Sequence, residues 1–285
     1  DCIKGFKTGD RGKLIMACGT GKTLTALRLA EELREERDNK YSESKNSPFR
    51  VLFLAPSIAL VSQTFNYWTH QSKDQISSFV VCSDTTANKR DNDEWDGSVL
   101  DVPFPTTTDP RLLADHIKIG EQSTGLSVVF STYQSIDTII AAQAQEGLPE
   151  FDLVICDEAH RTAGVADNVG VKSAFVKVHD NSLVHAKKRL YMTATPRVYT
   201  QAAQTKAVKN DFTTFSMDDE DTFGREFHRL KFGDAVAKGI LTDYRVLVLG
   251  IAESQGTNFA KRIQETQTFQ EQIDSIEQLE RRSRA

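Results

Sequence analysis

Several short stretches of this chain are built around unbroken apolar runs: KLIMA (13–17), RVLFLAP (50–56), LSVVFSTYQS (126–135), FDLVICDEAH (151–160) and AKKRLYMTATP (186–196). SSFVVCS (77–83) and YRVLVLGIA (244–252) read as further strands. A strand with one face in water alternates apolar and polar residues. A strand apolar along its length is covered on both faces, as in a parallel sheet. Between these runs, 23–37, 57–70, 109–119 and 136–146 carry apolar residues at helical spacing. This alternation of strand and helix predicts an α/β fold, with a mostly parallel central sheet and helices on both faces. Ligands of such sheets bind beyond the carboxyl ends of the strands. Each motif below sits at such an end.

Composition narrows the functional classes. Of the 285 residues, 39% are hydrophobic and 26% charged, as in an ordinary globular chain. A net charge of −5 argues against a nucleic-acid binder that works through its overall field, but leaves room for a local basic groove. The cysteines, Cys2, Cys18, Cys82 and Cys156, form no CxxC pair and read as reduced thiols of a cytoplasmic protein. No apolar run approaches the roughly 20 residues that span a bilayer, so no membrane partner is expected. The opening DCIKGFKTGD is too polar for a signal peptide. DNKYSESKNSP (38–48) reads as a loop, and 84–108 as a long acidic surface excursion. The basic runs AKKR (186–189) and RRSR (281–284) read as solvated faces and receive no site.

MACGTGKT (16–23) follows the first strand and opens a helix. A phosphate-binding loop needs glycines so that backbone N–H groups can close around oxygens. It also needs a lysine to reach the β and γ phosphates and a hydroxyl for magnesium. Gly19, Thr20, Gly21, Lys22 and Thr23 supply these, although Met16 stands where the full pattern has its first glycine. LVICDEAH (153–160) ends a strand with Asp157 and Glu158. One carboxylate can hold magnesium and the other can orient and deprotonate an attacking water. YMTATPR (191–197) places the hydroxyls of Thr193 and Thr195 at a third strand end, where they can bond to the acidic motif.

ACGTGKT, DEAH and TATP, in this order, resemble motifs I, II and III of superfamily 2 helicases. FLAPSIALVSQT (53–64) resembles motif Ia, STYQS (131–135) the segment around motif Ib, and 223–249 the segment after motif III. The flavour is that of the motor subunits of type I and type III restriction systems, in which a non-glycine at the first loop position is common. The resemblance covers roughly residues 12–250.

It implies a RecA-like P-loop NTPase domain over 1–250, the first half of a two-domain motor. Residues 251–285 would form a polar helical tail or the start of a linker. ATP and Mg2+ are the implied cofactors: Gly19, Thr20, Gly21, Lys22 and Thr23 would cradle the nucleotide, with Thr23 and Asp157 on the metal. Lys22, Asp157 and Glu158 would be catalytic, Glu158 activating water. His160, Thr193 and Thr195 would couple nucleotide state to a nucleic-acid groove. Pro56, Ser57, Thr132 and Gln134 would lie along that groove, although structural roles for these four stay open. The implied partners are nucleic acid, with double-stranded DNA favoured, a second RecA-like domain, and nuclease or methylation subunits. Motif VI arginines are not found in 250–285. An arginine supplied from a second domain is worth about 10³ to 10⁵ in rate, so the 285-residue chain alone should turn over ATP very slowly. Two other readings stay open: a P-loop ATPase switch that does not track nucleic acid, and a scaffold that has lost catalysis.

Overall fold

The computed structural model describes residues 1–41, 47–82, 106–120, 124–167, 173–201, 205 and 212–243. The chain divides into two compact units, Asp1–Thr242 and Asp243–Ala285. Of the second, only Asp243 falls among the described residues. The expected strand at 244–252 and the tail at 251–285 therefore lie outside them, as does most of the acidic excursion at 84–108.

The first unit is built on one sheet with the order β3-β4-β2-β5-β7-β1-β9. Its strands are β1 (Arg11–Met16), β2 (Phe49–Ala55), β3 (Ile76–Val81), β4 (Leu126–Thr132), β5 (Leu153–Cys156), β7 (Arg189–Thr193) and β9 (Arg225–Leu230). Every pairing in it is parallel. A small antiparallel pair, β6 (Gly164–Asp167) with β8 (Phe212–Phe215), stands apart from it.

The helices are α1 (Cys2–Gly5), α2 (Lys22–Lys40), α3 (Ile58–Gln71), α4 (Pro110–Gly120), α5 (Ile136–Gln145), α6 (Glu220–Phe223) and α7 (Phe232–Ala237). Their division between the two faces follows from side-chain alternation along the strands. In β2, Val51, Phe53 and Ala55 join one apolar cluster with Leu27, Leu33, Phe65 and Trp68 of α2 and α3. Leu52 and Leu54 join the other, with Leu113 and Ile117 of α4 and Ile136 and Ile139 of α5. β5 and β7 divide in the same way: Ile155 and Met192 face α2 and α3, while Val154 and Tyr191 face the opposite layer. Each side chain buried in this way contributes roughly 1.5–3 kcal/mol relative to exposure. This is why the inner strands read as unbroken apolar runs.

The strand at the β1 edge departs from that pattern. β9, REFHRL, keeps only Leu230 fully buried, and no apolar run announces it. Arg189 also departs from the expected solvated face of AKKR, with 1% of its surface exposed. Its guanidinium donates to the carbonyls of Val178 and Val184 and to the Asn181 side chain, which fastens the loop before β7. Carbonyl and amide oxygens around a buried cation replace the water it has lost.

Candidate active site

β1 ends at Met16, whose side chain is buried in the core, and the backbone turns only afterwards. The turn closes where Thr20 Oγ1 donates to the Ala17 carbonyl at 2.6 Å. Gly19 (φ 78°) and Gly21 (φ 90°) take the left-handed conformation, which costs glycine nothing. A Cβ on Gly21 would meet nothing within 4 Å, whereas one on Gly19 would meet Leu241 Cδ2 at 3.2 Å, so the loop is open at Gly21. Met16 needs no glycine because it is still strand. The bends fall at 19 and 21.

Lys22 is the first residue of α2, and its Nζ lies 3.3 Å from the Met16 carbonyl, folded back across the loop. The first turn of α2 is held from behind by Trp68 Nε1, which donates to the Thr23 carbonyl at 3.1 Å. Trp68 is itself fully buried, edge-on to Phe53 and Phe130. This anchor was not visible in the sequence: at helical spacing from Val61 and Phe65, Trp68 reads only as core.

Asp157 and Glu158 follow β5, two places along the sheet from β1. The backbone N–H of Asp157 donates to Leu54 O of β2 at 2.9 Å, and its carbonyl accepts the Tyr133 phenol at 2.8 Å. Its carboxyl is buried and its pKa is pushed up to about 6. Burial is the main cause and the Glu158 charge adds to it, while the Glu158 N–H and the Lys22 charge pull the other way. Lys22 and Asp157, 135 positions apart, therefore face one space. Glu158 (φ 46°) is the one non-glycine with positive φ among the described residues.

The three residues expected to couple the site to a groove also meet here. In the short turn Ala159–Thr162, His160 Nδ1 lies 2.9 Å from Thr193 Oγ1 and 3.3 Å from Glu158 Oε2. Thr193 Oγ1 in turn accepts the Thr195 backbone N–H at 3.1 Å, so Thr195 takes part through its backbone while its side chain is exposed. The loop after Thr195 is stapled in place: Met217 N donates to Arg197 O, and the buried Lys13 ammonium donates to Met217 O at 2.7 Å.

The four residues expected along the groove split. Gln134 is exposed and its Nε2 reaches the buried Pro56 carbonyl at 3.4 Å, joining the ends of β2 and β4. Ser57 caps α3, its hydroxyl accepting Leu60 N at 3.4 Å. Thr132 is buried and donates to Ser135 Oγ.

Chemically, this strand-end surface offers a glycine loop open at Gly21, a lysine, a helix N-terminus and hard oxygen donors from Thr23 and Asp157. That set fits a phosphate chain with a small divalent cation. Together with the parallel sheet, it defines the first RecA-like domain of a superfamily 2, restriction-type helicase motor. The family model described as "Type III restriction enzyme, res subunit" matches residues 2–198, and the chain belongs to that family.

The chain is 41% identical to the solved structure of the ATP-dependent type ISP restriction-modification enzyme LlaBIII bound to DNA. That match covers 85% of this chain and 15% of LlaBIII, with a TM-score of 0.67. A nuclease-deletion mutant of the type ISP enzyme LlaGI, solved with a DNA substrate mimic, is 39% identical over 84% of this chain and 19% of that one, with a TM-score of 0.61. A protein of African swine fever virus described as a probable helicase is 26% identical over 238 residues, 83% of this chain. The chain spans about a fifth of that relative's length, 21%.

Proposed function

We propose that this chain binds ATP with Mg2+ and hydrolyses it as one half of a motor that moves along double-stranded DNA. The observation that carries the reading is the Lys22 charge acting on the buried Asp157 carboxyl, with Glu158 beside it, from the strand ends of β1 and β5, next to a loop that is open at Gly21. A bound Mg2+ would neutralise phosphate charge that develops during transfer. Gly19, Thr20, Gly21, Lys22 and Thr23 bind the triphosphate, and Thr23 and Asp157 hold the metal. Lys22 steadies the terminal phosphate and Glu158 orients and deprotonates water. His160, Thr193 and Thr195 carry the state of the site to the DNA side, where Pro56, Ser57, Thr132 and Gln134 lie.

The DNA assignment is supported by the two type ISP enzymes, one solved bound to DNA and the other with a DNA substrate mimic. We further propose a second RecA-like domain that completes the site, nuclease or methylation functions beside it, and a cytoplasmic setting. Among the described residues, no helix is long and apolar enough to cross a membrane.

The test is ATP hydrolysis by the full-length protein with and without linear double-stranded DNA, and again with Lys22→Ala. Stimulation by DNA that vanishes in the variant supports the motor. Hydrolysis that DNA does not change supports a switch, and unchanged biological activity of the variant supports a scaffold.

A further inference from the structure

Tyr133 lies between Thr132 and Gln134, at the start of the short turn Tyr133–Ser135 that follows β4. Its side chain is completely buried and stacks on Phe175 at 5.0 Å between ring centroids. From the end of β4 the phenol reaches past β2 and donates to the carbonyl of Asp157 at 2.8 Å. That carbonyl belongs to the same peptide unit as the Glu158 N–H, and this N–H is the one that bonds to the Asp157 carboxyl. The unit also leads into the left-handed Glu158, with φ 46°. One phenol therefore grips the peptide on which both acidic side chains hang. Burial raises the phenol's pKa well above its usual value, so it stays protonated as a donor.

The other end of this connection is the surface. The turn that carries Tyr133 also carries the exposed Gln134, whose amide reaches the Pro56 carbonyl. Thr132 and Ser135 close it from beneath through their hydroxyls. A ligand that shifts this turn must shift Tyr133 with it. A residue in the left-handed region stays there only while its surroundings hold it, so a small displacement of the phenol changes the orientation of Glu158.

We propose that Tyr133 is a positioning residue that couples a DNA strand at the Thr132–Gln134 turn to the Asp157–Glu158 peptide, and so sets how strongly DNA stimulates hydrolysis. The inference rests on the motor reading given above.

The experiment uses the full-length protein and linear double-stranded DNA. Tyr133→Phe keeps the ring and its stacking and removes only the donor. The ratio of DNA-stimulated to basal hydrolysis is expected to fall at least about fivefold. DNA affinity should hold and the Mg2+ midpoint should rise. Gln134→Ala should lower the same ratio, and the double variant should be little worse than either single one, because both act through one connection. An unchanged ratio in Tyr133→Phe overturns the proposal. So does an equal loss of basal and stimulated rates, the signature of a merely structural role. If Tyr133→Phe fails to fold, additive effects of Gln134→Ala and Phe175→Leu on the ratio overturn it, and a non-additive pair upholds it. If the parent protein shows no stimulation at all, the motor reading fails before this one is reached.

Discussion

The loop after β1 and the turn after β5 face the same space and are built by opposite means. The loop reverses at Gly19 and Gly21, where a positive φ is free of steric cost, and the polar groups it offers are backbone N–H groups and one lysine. The turn enters the same region of backbone space at Glu158, where the Cβ makes it cost roughly 1–2 kcal/mol, beside a buried carboxyl that is costly to ionise. Where only main-chain donors are wanted, glycine suffices. Where two consecutive side chains must be presented, strain and burial are tolerated because Tyr133 and Leu54 fix the peptide on either side. The loop is a conformation glycine takes cheaply, and the turn is one that its surroundings must hold.

The largest expected effect tests whether both halves are needed. In the full-length protein, Lys22→Ala and Asp157→Asn should each lower ATP turnover by at least about 10²-fold. Their effects on stability should diverge. Lys22 is half-exposed, so its loss should change stability by no more than about 0.5 kcal/mol. Asp157→Asn should stabilise the metal-free protein, since it removes a charge that burial penalises. Denaturant melts in EDTA at neutral pH check this, and a destabilised Asp157→Asn would break the contrast.

The same penalty fixes a pH dependence. A carboxyl shifted from 3.8 to about 6 on folding holds its proton more tightly in the folded state. Its contribution to stability is complete below pH 3.8 and is lost as the pH rises through about 6. A shift of this size corresponds to roughly 3 kcal/mol at most. Parent and Asp157→Asn proteins in EDTA should therefore melt alike near pH 4 and separate by pH 7, with the parent the less stable. Saturating Mg2+ with ATP should close the gap in the parent. Curves that stay parallel across the range would show that the burial of Asp157 carries no such cost.

How much of this was legible in the residues follows from the same contrast. β2, β4, β5 and β7 could be read because burial on both faces leaves an unbroken apolar run, and the glycine loop because it has few alternatives. β9 could not, because an edge strand such as REFHRL shows no run and no clean alternation. The pair β6–β8 consists of four-residue strands, too short to carry a period. Arg189 misled because a basic run says nothing about which of its members a carbonyl cage will enclose. Of the candidate site, order and spacing were enough to propose the acidic and lysine groups. The groups that hold them, Trp68 and Tyr133, were not. Each is mostly hydrocarbon and reads as core, and the single polar atom that matters leaves no trace in a periodicity.

Exchanging the two backbone solutions sharpens the comparison at a smaller scale. Gly21→Ala adds a Cβ where space is open but φ is 90°, so it should destabilise by roughly 1–2 kcal/mol through backbone strain alone. Glu158→Gly should do the reverse, gaining about 1 kcal/mol from released strain while hydrolysis is lost. Urea midpoints with unchanged slopes would read both. If Glu158→Gly is no more stable than the parent, the left-handed turn stores nothing, and the two motifs differ only in their side chains.

The smallest expected effect concerns the support behind the loop. Trp68→Phe keeps an aromatic ring between Phe53 and Phe130 but removes the indole N–H that holds the Thr23 carbonyl at 3.1 Å. Loss of that bond should cost about 1 kcal/mol, and the smaller ring adds a little more through imperfect packing. If Trp68 only filled space, the melting temperature would fall by about 2–4 °C and nucleotide binding would hold. If it orients the first turn of α2 beneath the phosphate loop, the KM for ATP should also rise by about threefold. The loop would then prove to be supported as the acidic turn is, by one buried polar atom on an aromatic ring. A lower melting temperature with unaltered KM would leave that kind of support to the strained turn alone.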